Sequence, residues 1–346
     1  MEINDHLNRP SVKGAYRPIR NGTIRGSIIA LIASAIATGT LNLPIRAHQL
    51  GLIPYSIVLT LSIALSYYGM VIMEWVILKH KVVSYAEMVN RAFGHKAMLY
   101  SQYALIFHTW GIAICIEVIF IRFTSQLFHD LLGIPLYVDR DRETYTEMGV
   151  LGRVIIGLGM TVGNAKYLMM TDLKEVLQKV GKSSIVGILF CMAIIWLTAL
   201  FGFNREYQGS SLSYESILRM DYSLVEWWQP WDSNYLNIIL QASTGVYFTM
   251  LNPQFVFPLI SHLKKPTRKR VSNIFVWAHV EELIIYMLLG WLGYLLLAQH
   301  QDILPISQLV ISSIPTWPLL VGKMMLVFAL FFRLPLLLFT TKEFIY

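Results

Sequence analysis

Charge is the first thing this sequence has little of: 14% of its 346 residues are Asp, Glu, Lys or Arg, against about 25% in a soluble chain of that size. With 55% hydrophobic residues, most side chains sit in an apolar solvent. Cysteine is scarcer still. Cys115 and Cys191 both lie inside apolar stretches, which excludes a disulfide framework. No phosphate loop, no His-Glu-x-x-His and no Cys-x-x-Cys occurs, so an enzyme reading has no motif to stand on, and no cofactor or metal is expected. No basic stub runs directly into a short apolar core and a small-residue cleavage site, so no ordinary signal peptide is expected. Glu2 and Asp5 make the first 25 residues a poor match to a transit peptide. The glycosylation triplet Asn21-Gly22-Thr23 falls on the face assigned below to the inside, where it should stay unmodified.

What is present is apolar length. A helix needs about 20 apolar residues to cross a ~30 Å hydrocarbon core, and eight runs qualify: 24–47, 51–78, 98–132, 150–165, 183–203, 234–261, 272–298 and 317–340. The fourth is short, and the third is long enough to tilt or project. Helix is the required form, because lipid cannot satisfy the amides of an open strand. The chain therefore reads as an all-α membrane protein, with a polar segment over 1–23 and an eight-span domain over 24–346.

The net charge of +7 would fit a nucleic-acid partner in a soluble chain, but here the placement of the charges decides. Arg9, Lys13, Arg17, Arg20 and Arg25 precede the first span. Lys79, Lys81, Arg91 and Lys96 follow the second, and Lys166, Lys174, Lys179 and Lys182 the fourth. Lys264, Lys265, Arg268, Lys269 and Arg270 follow the sixth, and Lys342 the eighth. That puts 19 of 28 cations on one side, while the opposite loops hold Arg140, Arg142, Arg205 and Arg219. Eight spans obey the positive-inside rule at every loop, with both ends on the cytoplasmic or matrix face. The partner expected from composition is the lipid bilayer, not nucleic acid. The host membrane is left open, with the mitochondrial inner and endolysosomal membranes both compatible.

Two spans break their own pattern. Small residues crowd the first, which runs into Gly39-Thr40-Leu41-Asn42-Leu43-Pro44. Glycine weakens a helix and proline removes an amide donor, so a break near 39–44 is expected. The sixth carries Gln241-Ala242-Ser243-Thr244-Gly245, then Asn252-Pro253 and Pro258, with a break expected over 245–253. Each is open to reading as a kinked packing helix or as a discontinuous helix lining a binding site. Corresponding breaks in two halves point to an inverted-repeat carrier. On that reading the candidate substrate residues are Thr38, Gly39, Thr40, Asn42, Ser243, Thr244 and Asn252.

At these residues the chain resembles the amino acid/auxin permease (transmembrane amino acid transporter) family. The stretch from Gly22 through Gly39-x-Leu41-x-Leu43-Pro44 to Gln49-Leu50-Gly51-Leu52 is similar to that family's first span. Ser84-Tyr85 with Ala92-Phe93-Gly94, Gly290 to Tyr294, and Pro335 to Glu343 resemble its next loop, seventh span and end of the eighth. The resemblance covers roughly 20–346. It implies a leucine-transporter-type fold, with a small amino acid held between broken first and sixth helices. Departures accompany it. The chain stops at Tyr346, so the last helices of the second repeat are expected to be lacking. Ala37-Thr38-Gly39-Thr40 replaces the family's Gly-x-Gly, Asn42 stands at a normally small position, and Met250-Leu251-Asn252-Pro253 replaces a Cys-His-Pro pattern.

Arg333, two residues before Pro335, occupies the place where sodium-coupled relatives put a hydroxyl ligand. A guanidinium cannot ligate a cation, so it is expected to substitute for the ion. It is equally open to reading as a buried arginine paired with Glu117 or Glu74. Arg46, Arg153 and Lys323 near outer span ends are explained by snorkelling. His108 is expected to be a packing hydrogen bonder. Glu281 and Glu282 are expected at the interface where the seventh span opens. Two functions follow. The favoured one is a transporter-fold subunit, degenerate for transport, held by protein partners in a larger membrane assembly. The alternative is an active sodium-independent carrier of small amino acids.

Overall fold

The structure is a computed structural model. It describes residues 23–35, 42–82, 84–132, 147–168, 199–207, 210–214, 216–228, 234–250, 256–261, 266–298, 320–322 and 324–332, and the single positions 186, 189, 192, 193, 196, 197, 263, 334 and 337. The described elements are helical apart from one hairpin. Helix α1 (Ile24–Ala35) starts where Thr23 Oγ1 accepts the Gly26 N–H at 3.2 Å, a side-chain cap for an amide without an intrahelical partner. Helix α2 (Leu43–Leu50) begins afresh after Asn42, with proline in its first turn, where a missing N–H does no harm. Gly51, at φ 82°, ends α2 and turns the chain into α3 (Leu52–His80), a conformation that favours glycine.

Ser84 opens α4 (Tyr85–Phe93), its hydroxyl accepting the Glu87 N–H at 3.2 Å in a Ser-x-x-Glu arrangement. Gly94 at φ 84° separates α4 from α5 (His95–Leu132). At 1.5 Å per residue the 38 residues of α5 extend about 57 Å, well beyond a hydrocarbon core. Helix α6 (Glu147–Leu168) packs back on α5. Strands β1 (Phe203–Tyr207) and β2 (Ser210–Tyr214) pair antiparallel, Phe203 opposite Tyr214 and Tyr207 opposite Ser210. Then follow α7 (Tyr235–Met250), α8 (Val256–Ser261) and α9 (Arg268–Ala298). A further apolar helix spans Leu320–Phe332. Among the described residues, three helices are long and apolar enough to cross a membrane: Leu52–His80, His95–Ser125 and Arg268–Leu295.

The first and sixth expected spans are thus each represented by two helices, α1 with α2 and α7 with α8. The residues between, 36–41 and 251–255, lie outside the description. Gly245 sits inside α7, so the Gln241–Gly245 run is regular helix and not part of a break. Helix α9 is the centre of the fold: it packs on α1, α2 and α3, while α7 packs on α2 and α3. The core that joins them includes Leu31, Leu43, Leu50, Tyr55, Leu59, Ala242, Val246, Phe275 and Tyr286, all buried.

Candidate substrate site

Close approach of backbones creates the junction at which α2 meets its neighbours. A Cβ on Gly293 of α9 would overlap the ring of Pro44, and one on Gly290 would overlap the phenol of Tyr55. That phenol donates a 3.0 Å hydrogen bond to the Tyr286 carbonyl, so α3 is tied to the backbone of α9 at full burial. At the level of the Tyr55–Gly290 approach, Trp291 Nε1 donates to Ser56 Oγ at 3.0 Å. Small residues at helix contacts are the usual means of close packing in lipid.

On the other flank α2 lies against α7, and the residue between them is Arg46. Its guanidinium covers Gly245: a Cβ there would stand 2.8 Å from Nε and 3.0 Å from Cζ. Arg46 Nη1 donates to Gln49 Oε1 at 2.8 Å. Snorkelling toward water, as expected for Arg46, does not describe this placement. The side chain runs sideways across the α2–α7 seam, because glycine leaves the surface of α7 open to it.

Below the junction, α3 and α9 share a polar seam. His279 is buried, with Nδ1 2.8 Å from the Phe275 carbonyl and Nε2 3.3 Å from Ser66 Oγ. A carbonyl only accepts, so Nδ1 carries a proton, while Nε2 and Ser66 Oγ form the second contact. Ser62 and Glu282 are buried as well, Glu282 at 3% exposure. The expectation that Glu281 and Glu282 sit together at an interface is therefore corrected. They lie near the middle of α9, and consecutive helical residues point about 100° apart, so Glu282 enters the buried face while Glu281 stays exposed.

The end of the junction at the start of α3 is closed by the loop before α7. The Leu52 and Ile53 amides, orphan donors at the start of α3, donate to the Glu226 and Trp227 carbonyls at 3.3 and 3.1 Å. The Glu226 N–H donates to Tyr294 Oη at 2.7 Å, and the Tyr294 ring stacks on His48 at 5.8 Å. Sequence separations of 68 and more hide such contacts from any local pattern.

Of the residues expected at the substrate site, Asn42 is an exposed N-cap without a side-chain cap bond. Ser243 is half-buried, and Thr244 is exposed with Oγ1 donating to Leu240 O at 2.6 Å. Thr38, Gly39, Thr40, Asn252 and Arg333 lie outside the described residues. Glu117, offered as a partner for Arg333, faces α6, where Thr161 Oγ1 stands 3.4 Å from its Oε1. Glu74, the other offered partner, is buried in α3. Arg46, His279 and Glu282 were not among the expected site residues. A signal for two of them was present: 279, 282, 286, 290 and 293 recur at helical spacing, in line with the two close-packing glycines.

No curated protein matches the chain. The family model described as "Transmembrane amino acid transporter protein" matches residues 20–346. A match of that extent, on a chain with apolar spanning helices and glycine-packed junctions, places the protein in the transmembrane amino acid transporter family.

Proposed function

We propose that this protein holds a small amino acid in the membrane at the junction of α1–α2 with α7–α8, in a leucine-transporter-type arrangement, and carries it without sodium. The packing of α2 on α7 supports this reading. It brings the segment that follows Thr38, Gly39 and Thr40 against the helix bearing Ser243 and Thr244, with Asn252 just beyond that helix's end. Unwound backbone at that depth is tolerated where protein or a water-filled cavity meets it. Arg333 would exclude sodium from the neighbouring ion position, since guanidinium does not deprotonate in proteins.

A second reading keeps the fold and drops the transport: a structural subunit of a larger membrane complex. Arg46 lying across the α2–α7 seam favours it, because a side chain that spans the seam ties together the two elements between which a substrate would sit. So do the departures from the family pattern at 37–40 and 250–253. Uptake of radiolabelled amino acids by the purified protein in liposomes separates the two. Saturable uptake independent of a sodium gradient supports the carrier. Absence of uptake, with stoichiometric partners copurifying, supports the subunit. Uptake that tracks sodium refutes the role given to Arg333. The inside placement of both termini is tested by cysteine labelling at positions 265 and 302, which should report opposite sides.

A further inference from the structure

One end of the molecule gathers cations that the substrate site does not use. Helix α3 ends with Lys79 and His80 and is followed by Lys81, all exposed. Helix α5 opens with His95 and Lys96, exposed as well. The His279–Ser66 contact and the Tyr55–Gly290 approach set α9 antiparallel to α3. That packing brings the exposed Arg268 and Lys269 to the same end, where Arg268 acts on Glu74 of α3. Helix α4 lies there too, its Tyr85 edge-on to Phe257 of α8 at 6.2 Å. Its Arg91 pairs with Glu87 and donates to the His80 carbonyl at 3.0 Å. Among the described residues no ion pair reaches Lys79, Lys81, Lys96, Arg268 or Lys269. The opposite end differs. In the 216–228 loop that caps the start of α3, Arg219 is accompanied by the acids Asp221 and Glu226.

Length places these cations. The 29 residues of α3 extend about 43 Å, whereas hydrocarbon fills ~30 Å of a bilayer and headgroups bring it to about 40–45 Å. The end of α3 therefore stands at headgroup level. The charges do not serve the helices themselves. Lys96, Arg268 and Lys269 lie in first turns, where the macrodipole disfavours positive charge, and neither turn holds an acid. Aromatic rings accompany the cations. Trp75, one turn back toward the hydrocarbon, is 47% exposed, and Lys79 Nζ stands 4.3 Å from its ring centroid. Phe93, at the end of α4, is 78% exposed. Rings at the interface with ammonium groups beyond them complement a lipid that carries a negative headgroup. An acidic protein surface complements the lysines alone.

We propose that this end of the protein, formed by the end of α3, by α4 and by the starts of α5 and α9, is a docking surface for anionic phospholipid headgroups. Lys79, Lys81 and Lys96 make the contact, with Trp75 and Phe93 beside them at the interface. The surface is the same for a carrier and for a structural subunit, so its test is independent of uptake.

Spin-labelled lipids test it on the full chain in phosphatidylcholine liposomes. Lipid held at the protein surface gives a motionally restricted component in the electron paramagnetic resonance spectrum. For the wild type, the restricted fraction of labelled phosphatidylglycerol should exceed that of labelled phosphatidylcholine about twofold. Salt of about 1 M, which shortens the screening length to about 3 Å, should remove much of that excess. Lys79→Gln, Lys81→Gln and Lys96→Gln combined should abolish it while phosphatidylcholine is held as before. Arg219→Gln, at the opposite end, should keep it. Should the triple variant not purify, each single substitution should lower the excess in part. Equal fractions of the two lipids on the wild type overturn the proposal and leave the surface to an acidic protein partner. A triple variant with the full wild-type excess also overturns it, because the anionic lipid is then held elsewhere.

Discussion

Helices α5 and α9 are both long enough to cross a bilayer, yet they solve different problems. Buried residues make up 44% of the most apolar stretch of α9 and 17% of the corresponding stretch of α5. Helix α9 is enclosed by α1, α2 and α3, and carries glycines, a histidine and a carboxylate on its enclosed face. Helix α5 touches α4 and α6 and turns Tyr100, Tyr103, Phe107, Trp110, Ile114 and Val118 outward in a single helical stripe. Apolar side chains facing lipid gain little by being covered, so α5 is free to be simply apolar. Enclosed helices gain by close approach and by hydrogen bonds. The closely approached Gly290 and Gly293, with the buried His279 and Glu282, therefore mark where α9 is surrounded, whereas Gly111 of α5 stands open.

The glycines offer the sharpest way to break that comparison, and the largest effect. Alanine for Gly290 or Gly293 forces a methyl group into Tyr55 or Pro44, and overpacking of this kind costs about 1–3 kcal/mol. Nothing lies within 4 Å of a Cβ at Gly111 or Gly159. Alanine there should stabilise by up to about 1 kcal/mol through helix propensity. Thermal unfolding of the solubilised variants should show opposite signs for the two pairs. Equal behaviour would mean that α9 at Gly290 and Gly293 is no more enclosed than α5 at Gly111 and α6 at Gly159.

Tyr55→Phe should have a smaller effect. It removes one buried hydrogen bond to the Tyr286 carbonyl while keeping the ring, and should destabilise by about 1 kcal/mol. A neutral result by the same unfolding measurement would release α3 from α9 at that level.

Gly245→Ala is expected to be nearly neutral. The gain in helix propensity, about 1 kcal/mol, is offset by contact with Arg46, whose flexible end is what stands in the way. In an Arg46→Ala background the same substitution should become stabilising by about that amount. The four proteins form a double-mutant cycle in which the coupling between α2 and α7 is read directly. Additive effects would remove Arg46 from the seam.

Much of the fold was legible as length and punctuation. Helix α3 starts and stops within two residues of the expected 51–78, and Asn42 with Pro44 and Gly51 brackets α2. The site was less legible because its residues are defined by what they face. Glu281-Glu282 reads in sequence as one polar pair, and only the rotation of α9 separates an exposed acid from a buried one. Arg46 near a span end reads as a snorkelling cation until α7 presents a glycine to it. The hairpin over 203–214 lies where a charged loop was expected. The caps on Leu52 and Ile53 come from carbonyls more than 170 residues later in the chain, a distance at which local pattern carries no information.

The smallest effect concerns the cap on α3 and its dependence on pH. Asp221 Oδ1 accepts the Ser223 N–H at 2.9 Å and starts the 3-10 turn Tyr222–Leu224, two residues before the carbonyls that cap α3. The backbone hydrogen bond from Ser223 holds the Asp221 carboxyl below its ordinary range. A carboxylate lowered in this way favours the folded turn at pH above its unfolded value, about 3.9. The contribution is lost as pH falls through the lower, folded value. Amide exchange at Leu52 and Ile53, corrected for intrinsic rates, should be protected equally from neutral pH down to about 5 and then lose protection below about 4. In Asp221→Asn the side-chain oxygen still accepts from Ser223 but no longer titrates. Protection near neutrality should be almost unchanged, and the acid loss should flatten. Identical acid profiles for the two proteins would show that the turn at 222–224 does not hold the Glu226 and Trp227 carbonyls over α3. The Glu226 N–H bond to Tyr294 of α9 would then be the contact that holds this loop to the enclosed helix.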